Sequence, residues 1–260
     1  MPSIEQNLRV WGDPKTWEAR GDEWSVTWGG PTAQWEGAIL PRIRAYLPAN
    51  HILEIAPGYG RWTQFLATQA DTLTVVDLSP ECIAVCRERF AGLSHLRYEV
   101  NDGRSLAMLP DHSVDFAFSF DSLVHAELPV IESYLHELAR VLTPNGVAFL
   151  HHSNLGALGS PALARRLLPR FMCERLMARG FIPEDHWRAY SVSADLVRNV
   201  AMSAGVPCIR QELVNWGCDR LIDCFSTLTP RGSRWTQPLE QVTNPGFMAE
   251  AEAIRVRAGG

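Results

Sequence analysis

His51-Ile-Leu-Glu-Ile-Ala-Pro-Gly-Tyr-Gly60 is the stretch that decides how this chain folds. An apolar run ends in the acid Glu54, a Gly-rich turn follows, and Arg61-Trp62-Thr63 leads onward. The pattern returns at Leu73-Thr-Val-Val-Asp77, whose acid stands 23 positions after Glu54. A third run over 96–100 is followed by Asn101-Asp102-Gly103. Acids at the ends of successive apolar runs mark the ligand edge of an open α/β sheet.

The surrounding residues extend this alternation. Strands are predicted at 52–55, 73–76, 96–100, 114–120 and 147–151, with a helix over about 61–70. Ser79-Pro80 reads as a helix N-cap followed by N1. Val114–Phe120 is nearly all apolar, as suits a parallel strand buried on both faces. Pro129 opens a helix with Ile131, Tyr134, Leu135, Leu138 and Leu142 at helical spacing, closed by Thr143-Pro-Asn-Gly146. A helix over 192–204, strands near 207–214 and 220–228, and a short helix near 247–256 complete it. The fold class is α/β, with a doubly wound, mostly parallel sheet of seven strands.

Two segments depart from the alternation. Residues 1–47 form a Trp-rich lid segment with a helix near 36–47; Trp11, Trp17, Trp24, Trp28 and Trp35 are five of the nine tryptophans. Two or three of these are expected in the core and one or two against a ligand, with Arg20, Trp24, Trp28 and Gly29-Gly30 foremost. Residues 48–260 form the ligand-binding domain, interrupted by a helical cap insertion over 155–190. The cap carries Arg165, Arg166, Arg170, Arg175, Arg179 and Arg188, and the cluster over 165–179 is read mainly as a solvated face.

Bulk properties narrow the classes. The chain has 260 residues, 46% hydrophobic and 20% charged, which is ordinary for a globular protein. A net charge of −5 supplies no field for nucleic acid or anionic membranes. Lys15 is the single lysine among 24 basic residues, which reads as genomic base composition. No apolar run has membrane-spanning length and no secretory leader is apparent. The six cysteines lack metal-ligand spacing. A reducing cytoplasm is the expected compartment.

Gly58 and Gly60 allow a tight turn and close backbone approach to a ligand. Asp77 is placed to accept both ribose hydroxyls, and Asp102 to accept from an adenine amine. A dinucleotide site would want a further glycine where Thr63 stands, with small residues before it; bulky Trp62 argues against an NAD(P)-dependent oxidoreductase.

The run Glu-x-x-Pro-Gly-x-Gly, then Asp77, Asn-Asp-Gly and Leu-Thr-Pro-Asn-Gly resembles a class I S-adenosylmethionine-dependent methyltransferase over about 45–152, and more weakly to 228. The resemblance implies that Glu54, Ala56, Gly58 and Gly60 underlie the methionine part. Asp77 would hold the ribose and Asp102 face the adenine, with Leu78, Gly103 and Phe120 completing the S-adenosylmethionine set. Ala56 stands where the family has its first glycine, so that turn is expected to be shaped differently.

Ser119-Phe-Asp121-Ser-Leu-Val-His125 and His151-His152-Ser-Asn154 follow adjacent parallel strands. His125 is the candidate base and Asp121 its orienter or a metal ligand. These two runs resemble sugar O-methyltransferases, including mycobacterial enzymes acting on mannose oligosaccharides. That resemblance implies a saccharide or glycosylated small-molecule acceptor and, in some members, a divalent cation such as Mg²⁺. Here the second acidic position is His151 or His152, poorly suited to Mg²⁺, with Asp223 as a further oxygen ligand. No nucleic-acid partner is expected, and a homodimer is allowed. A non-catalytic S-adenosylmethionine-binding module is the alternative outside enzymes.

Overall fold

In the computed structural model, residues 3–159, 168–169, 171–173, 175 and 187–259 are described. Most of the cap expected over 155–190, including Arg165, Arg166, Arg170 and Arg179, lies outside them.

Eight strands form one sheet: β1 (Ala49–Ile55), β2 (Ala70–Asp77), β3 (Leu96–Val100), β4 (Val114–Ser119), β5 (Leu142–Ser153), β6 (Cys208–Val214), β7 (Asp223–Leu228) and β8 (Glu240–Asn244). Their order is β3-β2-β1-β4-β5-β7-β6-β8. The first five pair in parallel; β7 runs antiparallel between β5 and β6, and β8 joins β6 in parallel. The order reverses between β1 and β4, so the loops leaving those strands diverge and open a crevice.

Successive residues of the central strands are buried on alternate faces of the sheet. Ile52, Val75, Phe116, Phe118 and Phe149 join Trp28, Trp35 and Trp62 on one face. Leu53, Val76, Ala117 and Leu150 meet Tyr134, Leu135 and Leu138 on the other.

The helices carry legible start signals. In α1 (Ile4–Trp11), Ser3 and Gln6 form a reciprocal capping box. The segment predicted as one helix near 36–47 is instead α2 (Pro31–Gln34), a π turn over Trp35–Ile39, α3 (Leu40–Ile43) and a 3₁₀ turn over Arg44–Tyr46. Pro41, at the start of α3, cannot donate to the ladder, so the helix widens before it. The helix expected over 61–70 shortens to α4 (Thr63–Leu66) and a 3₁₀ turn. Ser79 caps α5 (Pro80–Arg89) by accepting from Cys82 N–H. Then follow α6 (Leu128–Val141), α7 (Ala194–Ala204) and α8 (Phe247–Arg257).

The sheet differs from expectation at two places. β8 is an eighth strand in what reads as a turn-rich tail. β5 begins at Leu142, with Thr143-Pro-Asn-Gly146 absorbed as an irregularity opposite Val114 and Phe116.

Candidate active site

A cavity of about 480 Å³ lies beyond the carboxyl ends of β1, β2 and β4, with Gly103 after β3 in its wall. Its lining divides into backbone turns below and aromatic rings above. Ala56, Pro57, Gly58, Asp77, Leu78 and Ser79 come from the loops after β1 and β2. Phe120, Asp121, Ser122 and His125 come from the loop after β4. Trp11, Trp17, Trp24, Trp62, Trp187 and Trp216 supply indoles. Of the five N-terminal tryptophans, three therefore line the cavity; Trp28 and Trp35 are core, 2% and 5% exposed.

The turn after β1 is held by three tethers. Ala56 N–H donates to the Val76 carbonyl at 2.7 Å. Gly58 N–H donates to Asp77 Oδ2 at 3.2 Å, and Ser122 Oγ donates to the Ala56 carbonyl at 2.8 Å. Ala56 has φ 57°, the left-handed conformation a glycine adopts without strain. The alanine therefore carries the strain of a left-handed turn. Gly58 also has φ 57°, and a Cβ there would fall 2.4 Å from the Trp17 ring. Trp17 stacks on Tyr59 with centroids 4.5 Å apart. Gly60 faces away, where a Cβ would strike Phe90 at 2.5 Å, so its role is helix packing.

Asp77 is 8% exposed and accepts from Ser79 N–H through Oδ1 and Gly58 N–H through Oδ2. Each oxygen keeps a lone pair for a diol donor. Burial pushes its carboxyl up to about 6, against the pull of these backbone donors. Glu54 is 1% exposed, accepts from Thr63 Oγ at 2.6 Å, and burial pushes it up to about 8. It supports the turn from beneath and does not line the cavity.

Asp102 is not brought to the cavity. Its Oδ1 accepts from Arg104 and Ser105 N–H at 2.9 and 2.7 Å, closing its own turn. Gly103, at φ 78°, lines the wall in its place. Leu78 and Phe120 line the cavity as expected.

At the other end, His125 is 7% exposed, and its Nδ1 lies 2.9 Å from the Trp187 carbonyl. A carbonyl only accepts, so Nδ1 carries the proton and Nε2 offers a lone pair. Burial and then the Arg188 charge push its pKa down to about 4. The imidazole is therefore neutral at physiological pH. Asn7 of α1 donates to the His125 carbonyl at 2.8 Å, and the Trp11 ring lies 5.0 Å from the imidazole.

Asp121 sits at φ 61° and pairs with Arg61 Nη2 at 2.8 Å. Burial favours its neutral form, but the Arg61 and Arg188 charges outweigh that and hold it below the usual carboxylate range. Its backbone N–H donates to His151 Nδ1 at 3.1 Å, leaving the proton on Nε2, 3.1 Å from Asp223 Oδ2. Arg188 grips the same carboxylate through Nε (3.0 Å) and Nη2 (2.8 Å). His152 points to the opposite face, as alternation requires, and bonds Ser226 Oγ at 2.8 Å.

Asp121, His151, His152 and Asp223 therefore do not form a metal set. Among the described residues no group of three or more His, Cys, Asp or Glu converges suitably. Arg61 and Arg188 hold the two carboxylates that a cation would need. The donor set does not fit Mg²⁺.

S-adenosylmethionine fits better. Asp77 would accept a diol such as that of a ribose, Gly58 would let the backbone approach a ligand, and the cavity has the size of a small-molecule site. Sequence inspection missed Arg61, Trp17 and Trp216 as cavity residues, and gave no role to Arg188, which is 4% exposed.

Residues 52–146 match the family model described as a methyltransferase domain. Over these residues the chain is similar to methyltransferase domains. The chain is 28% identical over 131 residues to malonyl-[acyl-carrier protein] O-methyltransferase of Marinomonas sp. strain MWYL1, covering 48% of this chain and 47% of that protein. It is 28% identical over 135 residues to ubiquinone biosynthesis O-methyltransferase of Xanthomonas campestris pv. campestris strain B100, covering 49% and 55%. The chain thus spans about half the length of the curated relatives it matches. The N-methyltransferase NodS of Bradyrhizobium japonicum WM9, solved with S-adenosyl-L-homocysteine, superposes with TM-score 0.55 at 15% identity. That superposition covers 89% of this chain and all of NodS, and shows the shared methyltransferase fold.

Proposed function

We propose that the methyltransferase domain transfers a methyl group from S-adenosylmethionine to a hydroxyl of a small acceptor, a saccharide or glycosylated molecule. The observation that carries this reading is the fixed His125 tautomer. Its Nδ1–H is engaged by the Trp187 carbonyl, and its basic Nε2 belongs to a residue lining the cavity.

The cofactor supplies a methyl carbon already activated on a sulfonium, so the chain's work is to orient the acceptor and receive its proton. An imidazole held to about 4 is a weak base. It suffices when the proton leaves as the new carbon–oxygen bond forms, because the alkylated oxygen is far more acidic than the free hydroxyl. Asp121 and Arg61 form a neutral ion pair at the cavity wall. Indole faces suit the apolar faces of sugar rings and exclude water from the transfer.

The test is incubation of the full chain with methyl-labelled S-adenosylmethionine and a panel of glycosides and other hydroxylated acceptors. Product heavier by one methylene, lost in His125→Ala while S-adenosylhomocysteine still binds, is the expected result. Cofactor binding with no transfer to any hydroxyl would sink the proposal.

A further inference from the structure

Besides His125, two residues of the cavity wall carry buried oxygens that no group among the described residues satisfies. Glu127 takes the Ser191 hydroxyl through Oε2, and its buried Oε1 has no partner. Asn7 donates its amide to the His125 carbonyl, which fixes its orientation and leaves buried Oδ1 without a donor. Both residues line the cavity. Unsatisfied buried acceptors are costly, and a native structure keeps them where something else completes them.

The three groups are neighbours. Asn7 is bonded to residue 125 itself, and Glu127 is two positions further along the same chain. With the tautomer fixed, His125 Nε2 is also an acceptor. These three groups therefore all call for donors. One O–H of the acceptor goes to His125; a second, close by, is needed to satisfy Glu127 or Asn7. The ring that bears them meets Trp11 and Trp24, whose planes cross at 76° with centroids 6.1 Å apart. Trp24 is 43% exposed and leaves this corner open to entry.

We infer that Asn7 and Glu127 form an acceptor subsite for a ring-borne vicinal diol, in which one hydroxyl is methylated on His125 and its neighbour is held by the carboxylate–amide pair. This rests on the methyl-transfer reading above. Both a sugar ring and a catechol present this chemistry.

The experiment uses the full chain saturated with S-adenosylhomocysteine and follows quenching of indole fluorescence. The probes are methyl glucopyranoside and catechol, with cyclohexanol and phenol as single-hydroxyl controls. At least one diol is expected to bind ten-fold or more tightly than its control. That advantage should fall to less than three-fold in Glu127→Gln and in Asn7→Ala, with circular dichroism confirming that each variant is folded. Preference for the glycoside identifies a saccharide and preference for catechol a phenolic acceptor; either supports the subsite. Equal binding of diols and controls, or an advantage that survives both variants, overturns it while leaving methyl transfer intact. Failure of S-adenosylhomocysteine itself to bind overturns the proposed function and this inference together.

Discussion

His151 Nε2 lies 3.1 Å from Asp223 Oδ2, and the opposite nitrogen of the same ring accepts the backbone N–H of Asp121. A wholly buried carboxylate on β7 thus reaches the loop after β4 through one imidazole. The same carboxylate anchors Arg188, and the preceding residue, Trp187, presents the carbonyl that fixes His125. Asp223 therefore anchors Arg188 and lies beside the ring that receives the Asp121 N–H.

Asp223→Asn keeps the shape and removes the charge. Its paired interaction with Arg188 then loses the charge on one side, and breaking a buried pair in this way costs about 3 kcal/mol or more. Thermal or denaturant unfolding should show this loss. The turnover number should also fall, with S-adenosylhomocysteine affinity nearly unchanged. Wild-type stability in the variant would refute the role given to this carboxylate.

His125→Ala should lower the turnover number by about two to four orders of magnitude, the usual range for a positioned acid–base group. Because burial and Arg188 depress its pKa to about 4, His125 stays neutral well into the acid range. Its titration is therefore expected near 4 in a proton-resonance experiment, far below an ordinary imidazole. A midpoint near 6.5 would contradict the buried environment described.

Asp77 governs cofactor affinity in a different range. Its carboxyl is pushed up to about 6, so it binds a proton as pH falls through that value and loses its capacity to accept two hydroxyls. S-adenosylhomocysteine affinity measured by calorimetry should weaken below about pH 6. Asp77→Asn should bind weakly throughout and remove that limb.

Glu54 ties stability to pH with the opposite sign from a surface carboxylate. Its folded value is raised from 4.5 to about 8, so the folded state binds the extra proton. Its stabilising contribution is full below about 4.5 and is lost as pH rises to about 8. Glu54→Gln can still accept from Thr63 and should flatten the fall in unfolding free energy over that interval. A wild-type slope retained in the variant would exclude Glu54 as its source.

Ala56→Gly removes a side chain from a left-handed position and should stabilise the fold by about 1 kcal/mol, after allowing for greater freedom of the unfolded chain. Destabilisation on chemical denaturation would count against strain at this turn.

The first five strands were legible because each is a compact apolar run beside a turn signal, and burial on both faces demands that composition. β8 lacked such a signal: Glu240–Asn244 is a polar edge strand with no buried position. Asp77 and the Gly58 turn were found because local sequence determines them. Asp102 misled because strand-end position does not reveal whether a carboxylate faces a ligand or caps its own turn. The metal reading of Asp121 and Asp223 failed for a longer-range reason. Their arginines stand 60 and 35 positions away, so only the fold could reveal them. The same holds for Asn7, which reaches His125 across 118 positions.

The contact between Gly58 and Trp17 constrains how such a chain can diversify. A methyl at position 58 has nowhere to go while the indole is in place, and the backbone there tolerates few residues besides glycine and asparagine. Descendants of this sequence can vary the two sites only in concert: a smaller ring at 17 must come first, and asparagine is then the natural replacement at 58.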